Sequence, residues 1–221
     1  MSARRASGPS LLVVFACGLV ASCTGPGGRD GAQPPKRPNV ILVSIDTLRA
    51  DRLGLHGYDR HPTSPTLDAL ARDAIVHDAH IASSSWTTPS QMSLLTSLQP
   101  SAHGVTRAFR SLPDGDREPA GFVRLGASHV TLAEALAGAG YRTAAFTGGI
   151  TVAPDIGFDQ GFDQYASTMY KLAPPQMQPM LDWLTAEPGR PSFLFWHHFE
   201  VHAPYTQGRF LPPSRDGLRL D

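Results

Sequence analysis

The chain has 221 residues, 41% hydrophobic and 17% charged; that is enough apolar material for the core of one domain and too much for a chain disordered throughout. Nineteen basic residues balance nineteen acidic ones and do not cluster beyond Arg4–Arg5 and Lys36–Arg37, which excludes the electrostatic footprint of a nucleic-acid binder. The two cysteines, Cys17 and Cys23, both stand near the N-terminus, so the rest of the chain has no disulfide, CxxC metal site or cysteine nucleophile to offer.

In chain order, "MSARRASGPS" carries two arginines and no acid, "LLVVFACGLVAS" is a 12-residue apolar run, and "VASC" closes it with small residues. Residues 1–22 therefore read as an export signal, because twelve apolar residues are too few to span a bilayer. The small-residue run ending in cysteine resembles a bacterial lipobox, in which the chain is cut before the cysteine and the thiol is lipidated. Cys23 is the expected lipidation site, and the protein is expected to be an extracytoplasmic lipoprotein anchored to a membrane of the bacterial cell envelope. An ordinary secretory signal is the alternative. Residues 23–38, rich in glycine and proline, read as a flexible tether, and 39–221 as the folded domain.

"NVILVSI" is a continuous β-branched and apolar run, as expected of a strand covered on both faces of a parallel sheet. "DTLRAD" follows, which puts Asp46 where the strand leaves the sheet, at the end where open α/β sheets build their sites. "SPTLDALARDA" predicts a helix with Ser64 as cap and Pro65 in the first turn. "IVHDAHIAS", residues 75–83, alternates like a strand. "PSQMSLLTSL" predicts a helix opened by Pro89, with Thr87 or Thr88 at its N-terminal end. "TLAEALAGAG" predicts a helix closed by glycine, "YRTAAFTGG" a buried strand, "PQMQPMLDWLTAE" a short helix and "PSFLFWHHF" a further apolar strand. Alternating strands and helices predict an α/β fold with a mostly parallel central sheet and flanking helices.

Chemistry-capable groups gather at predicted strand ends: Asp46 after the first, Thr87 after the second, and His197, His198, Glu200 and His202 at the last. Neighbouring strands would bring them to one edge of the sheet. Unpaired N–H groups and the dipole at a helix start favour an anion such as sulfate or phosphate. A threonine hydroxyl there attacks sulfur or phosphorus when a metal held by a carboxylate such as Asp46 lowers its pKa; the alternative is a plain threonine cap. "HHFEVH" is not a zinc spacing, and successive strand residues face opposite sides. His202 is therefore expected to contact an anion, with one of His197 and His198 packed beneath the site and Glu200 solvated.

"RPNVILVSIDTLRADRLGLHGYDRHPTSPTLDALARDAIV", "WTTPSQMSLLTSLQPSAHGV", "GYRTAAF" and "FLFWHHFEVHAPY" stand in this order between about residue 37 and about residue 207. Together they resemble the N-terminal half of a sulfatase of the alkaline phosphatase superfamily. The resemblance implies an alkaline-phosphatase-like fold and metal-dependent hydrolysis of small-molecule or glycan sulfate or phosphate esters. It makes Asp46 the metal-ligand aspartate and places Thr87 at the nucleophile position of a "C/S-x-P-S-R" signature, where it also contacts the metal. His202 becomes the histidine that contacts the transferred group. His103, in "HGV", belongs to the same pattern with a structural role favoured, and Asp51 reads as a turn residue.

The departures are specific. A threonine at position 87 is not expected to undergo the conversion of Cys or Ser to formylglycine. Gln91 stands where the signature has arginine, Thr47 where a second metal aspartate often follows, and "AAFTGGI" has no lysine or histidine. A direct threonine nucleophile resembles instead the phosphodiesterase and phosphotransferase branches. The implied cofactor is thus Ca2+ on the sulfatase resemblance or Zn2+ on the phosphodiesterase one. No aspartate–histidine or aspartate–asparagine pair follows "HAPY", so the chain is expected to be the N-terminal portion of a domain whose remaining ligands lie further on. A non-catalytic relic with an anion pocket is the third reading.

Overall fold

The computed structural model describes residues 10–13, 37–106, 109–111, 117–168 and 173–203. Cys17, Cys23 and nearly all of the expected tether lie outside the described residues, as do Pro204 and Tyr205 of "HAPY". The strands in chain order are β1 (Ser10–Val13), β2 (Val40–Arg49), β3 (Phe109–Ser111), β4 (Arg117–Phe122), β5 (Arg142–Gly148), β6 (Gln164–Thr168) and β7 (Ser192–His198). The helices are α1 (Pro65–Ala71), α2 (Thr87–Thr96), α3 (Pro100–His103), α4 (Leu132–Gly138) and α5 (Ala173–Thr185).

The main sheet has the order β1-β2-β7-β5-β6. Its four strands β2, β7, β5 and β6 are parallel throughout, and β1 lies antiparallel on the outer edge of β2. β3 and β4 form a separate hairpin. This is the α/β architecture read from the sequence, with helices on both faces. β7, the last strand along the chain, sits between β2 and β5. Its run "SFLFWHH" is apolar on both sides because both sides are covered.

One face of the sheet carries Leu42, Ala145, Phe193 and Phe195, packed with Met92 and Leu95 of α2 and Ala133 of α4. The other carries Ala144, Phe146 and Leu194 against Met180 of α5. Along β2, Leu42, Ser44 and Asp46 are buried while the residues between them are less covered; the two-residue period thus assigns Asp46 to the α2 side. α4 begins with a reciprocal cap: Thr131 Oγ1 accepts from the Glu134 amide at 3.1 Å, and Glu134 Oε2 accepts from the Thr131 amide at 2.8 Å. Gly161, at φ +86, presses on that turn, and a Cβ there would meet the Glu134 nitrogen at 2.4 Å.

Two sequence expectations are corrected, and one strand goes unannounced by the sequence. Residues 75–83 form no strand. Ile75 and Ile81 are 80% and 84% exposed, and both sides of β2, the strand that precedes the segment, are already taken by β1 and β7. Neither threonine caps α2: Trp86 is the N-cap residue, without a side-chain cap bond, so Thr87, Thr88 and Pro89 fill the first turn. Proline fits there because the first amides of a helix have no intrahelical partner. Finally, β6, "QYAST", is a strand that the pattern does not announce, since it is a half-covered edge strand with polar residues.

Candidate active site

The parallel ladder between β2 and β7 ends at Ile45, opposite His198, so Asp46 is the first residue past it. Thr47 follows at φ +55, a left-handed conformation that costs a β-branched residue about 1–3 kcal/mol. Its Oγ1 donates to the Val201 carbonyl at 3.2 Å, tying the end of β2 to the turn that carries His202. Thr87 enters from the other side: its Oγ1 lies 3.1 and 3.3 Å from the two oxygens of Asp46. Thr88 points away, fully buried, and donates to the Thr151 carbonyl at 2.9 Å. The two adjacent threonines thus divide into one at the carboxylate and one in the core.

Asp46, Thr47, Thr87, Gln91 and His202 line one cavity of about 1160 Å³. Five of the residues singled out in the sequence therefore meet, although Thr87 arrives from a loop and not from a strand end. His202 stacks on Phe199 with ring centroids 4.3 Å apart. Its Nδ1 donates to the Ala203 carbonyl at 2.6 Å; since a carbonyl only accepts, the proton sits on Nδ1 and Nε2 is left for other partners. Gln91 Nε2 donates to Ser44 Oγ at 2.8 Å, so the side chain in the arginine position is a neutral group anchored to β2.

His103 is outside the cavity lining. Its Nδ1 accepts from the Val105 amide at 3.1 Å and its Nε2 meets Ser93 Oγ at 3.0 Å. Both ring nitrogens are therefore engaged in joining α2 to the turn after α3. Burial pushes its pKa below the ordinary histidine value. Asp51 pairs with Arg49 at 2.7 Å on the surface, whose guanidinium lowers the carboxyl pKa.

His197 lies under the site, 1% exposed. Its Nδ1 donates to the Gly148 carbonyl at 2.9 Å, and its Nε2 stands 3.9 Å from Asp46 Oδ2. Burial drives the imidazole toward its neutral form, against the opposing pull of the Asp46 carboxylate. His198, on the other face, is likewise lowered by burial. Three buried polar atoms around the site have no hydrogen-bond partner among the described residues: His197 Nε2, Gln91 Oε1 and Thr151 Oγ1. A buried polar atom without a partner calls for an explanation, and a bound ion is one. Sequence reasoning placed a histidine beneath the site but missed the orphan atoms, which leave no mark in a pattern of residue types.

The donors present suit a divalent cation. Asp46 is 8% exposed and accepts one hydroxyl among the described residues, so a buried carboxylate retains lone pairs and an uncompensated charge. The set is partial: among the described residues no group of three or more His, Cys, Asp or Glu side chains converges there.

The sulfatase family model matches residues 38–217. Steryl-sulfatase of Mus musculus is 30% identical over 141 residues, 62% of this chain and 21% of that protein. Arylsulfatase A of Bos taurus is 37% identical over 108 residues, 48% of this chain and 19% of that protein. N-acetylgalactosamine-6-O-sulfatase of Bacteroides thetaiotaomicron is 29% identical over 160 residues, 65% of this chain and 30% of that protein. The chain thus spans between a fifth and a third of the length of these curated relatives. Among solved structures, phosphonate monoester hydrolase of Agrobacterium radiobacter superposes with a TM-score of 0.57 at 21% identity, over 76% of this chain and 42% of that one. A protein in complex with its substrate D-glucosamine-2-N,6-O-disulfate superposes with a TM-score of 0.59 at 18% identity, over 76% of this chain and 35% of that one. At those identities the two superpositions speak for the fold, which is alkaline-phosphatase-like.

Proposed function

The chain belongs to the sulfatase family, and from that membership we propose that it carries the nucleophile of a hydrolase of sulfate or phosphate esters, with Thr87 attacking directly. The observation that carries this reading is the Thr87 hydroxyl 3.1 Å from a buried carboxylate, in the first turn of α2 and on the wall of a cavity shared with His202. The relatives are sulfatases by name and one structural neighbour is a phosphonate monoester hydrolase, which supports an ester of sulfur or phosphorus as substrate.

Asp46 accepts the Thr87 hydroxyl hydrogen bond and so fixes the oxygen for attack. The oxygen attacks in line and the ester alcohol departs, the Thr87 proton passing by way of Asp46 to the leaving oxygen; water then hydrolyses the threonine ester and restores the hydroxyl. The amides of Thr87 and Thr88 at the N-terminal end of α2, with the helix dipole, favour the developing negative charge. His202, whose Nδ1 is held by the Ala203 carbonyl, contacts the transferred group through Nε2. A divalent ion bound by Asp46 and Thr87 Oγ1, when present, supplies the lowered hydroxyl pKa that such an attack requires.

The test is turnover of nitrophenyl sulfate, phosphate monoester and phosphate diester by the full chain, with and without chelator. Turnover that chelation removes and Thr87→Ala abolishes is expected; a Thr87→Ala variant as active as the parent would overturn the assignment. For the N-terminus we propose export and lipidation at Cys23. Cys23→Ala is then expected to move the protein out of the membrane fraction, and its retention there would count against the anchor.

A further inference from the structure

We propose that His197 is a nitrogen donor to the cation held by Asp46 and Thr87, and that this makes the site prefer a transition ion such as Zn2+ to Ca2+. The inference rests on the metal-hydrolase reading above and adds to it a ligand from a different strand. Three observations combine. The Nδ1 bond to the Gly148 carbonyl places the ring proton on Nδ1, so Nε2 is an unprotonated lone pair in the neutral ring. That nitrogen is buried and unpartnered among the described residues. It is directed at Asp46, 3.9 Å from Oδ2. A bare acceptor and a carboxylate oxygen repel each other unless a proton or a cation stands between them.

Distance permits the cation. Zinc bonds nitrogen and oxygen at about 2.0–2.2 Å in a tetrahedral array, which sets two donors about 3.3–3.6 Å apart. The 3.9 Å separation is within a few tenths of an ångström of that spacing, so a small rotation of either side chain brings both to one ion. Chemistry selects the ion: Ca2+ takes oxygen ligands almost exclusively, whereas imidazole suits zinc and its neighbours. The carbonyl of Gly148 does what a partner of a ligating histidine does, orienting the ring and fixing its tautomer.

The variant is His197→Asn, because the asparagine amide nitrogen takes the place of Nδ1 and keeps the bond to Gly148 while Nε2 is deleted. The full chain and the variant are titrated with Zn2+ and with Ca2+ by calorimetry, and histidine 15N spectra of the parent are followed during the Zn2+ titration. Tighter binding of Zn2+ than of Ca2+ is expected, with Zn2+ affinity reduced at least about tenfold in the variant and a shift of the His197 Nε2 resonance at one equivalent. Unchanged Zn2+ affinity in the variant would overturn the proposal. So would shifts confined to surface histidines such as His61 and His77, or an Nε2 already protonated at neutral pH without metal. Should the variant fail to fold, the spectra of the parent decide alone. Loss of ester hydrolysis as a function leaves these readouts untouched, so the two ideas fail separately.

Discussion

Replacing each of the two adjacent threonines by valine separates chemistry from stability. Thr88 is fully buried and its hydroxyl bonds the Thr151 carbonyl at 2.9 Å. Valine keeps the shape but strips that carbonyl of its partner, which costs about 1–3 kcal/mol; one additional buried methyl returns about 0.8 kcal/mol. A net loss of about 0.2–2.2 kcal/mol lowers Tm by up to about 9 °C in a domain of this size. Thr87 is only half-buried; its bond to the buried Asp46 carboxylate is worth about 1.5–3 kcal/mol, of which the same methyl returns at most about 0.8 kcal/mol. Thr87→Val should therefore lower Tm by about 1–9 °C, no more than its neighbour does, while turnover falls at least about a thousandfold. Thermal unfolding by circular dichroism and nitrophenyl ester hydrolysis below both melting points read the two effects. A Thr88→Val protein that keeps its Tm but loses turnover, beside an active Thr87→Val protein, would refute the division.

Acid should destabilise the fold through His103. Its folded pKa lies below the ordinary 6.5, so the unfolded chain takes up the proton first; stability is full above about pH 6.5 and declines as pH falls. The fall in Tm between pH 8 and pH 5 should be shallower in His103→Gln, and identical slopes would remove His103 as a cause. Gly161→Ala puts a methyl 2.4 Å from the Glu134 nitrogen at φ +86. A loss of at least about 2 kcal/mol is expected in chemical denaturation, and an unchanged midpoint would contradict the contact. Thr47→Val keeps the backbone strain and removes the bond to Val201. Stability should move by no more than about 1 kcal/mol while KM rises several-fold as the His202 turn loosens; an unchanged KM would free that turn from Thr47.

How much of this was legible follows from where each segment lies. β5 and β7 are covered on both faces and read as continuous apolar runs; β2 reads the same way although one of its faces is only partly covered. β6 is an edge strand whose half-exposed "QYAST" carries no such run. Residues 75–83 show the converse: alternation reports a preference for pairing, but both sides of β2 are taken by β1 and β7 and the segment joins no strand. In the site, Asp46 and Thr87 were visible because one follows a strand and the other opens a helix. The separation of Thr87 from Thr88 and the lone pair of His197 depend on directions that residue types do not encode. Gln91, by contrast, was visible as a departure, and its bond to Ser44 gives that departure a structural use.

The sheet order also dictates a sequence of events in time. β7 lies between β2 and β5, pairing Val40 with Phe193 and Thr143 with Phe193, so neither side of the sheet can meet the other until residues 192–198 have been made. A ribosome-bound chain ending before them presents two strand edges with no neighbour, the state in which nascent proteins are most exposed to aggregation and most in need of a holding chaperone. Closure across more than a hundred and fifty residues of intervening chain is a slow step. The same insertion sets His197 beneath Asp46, so completion of the sheet and assembly of the site are one event.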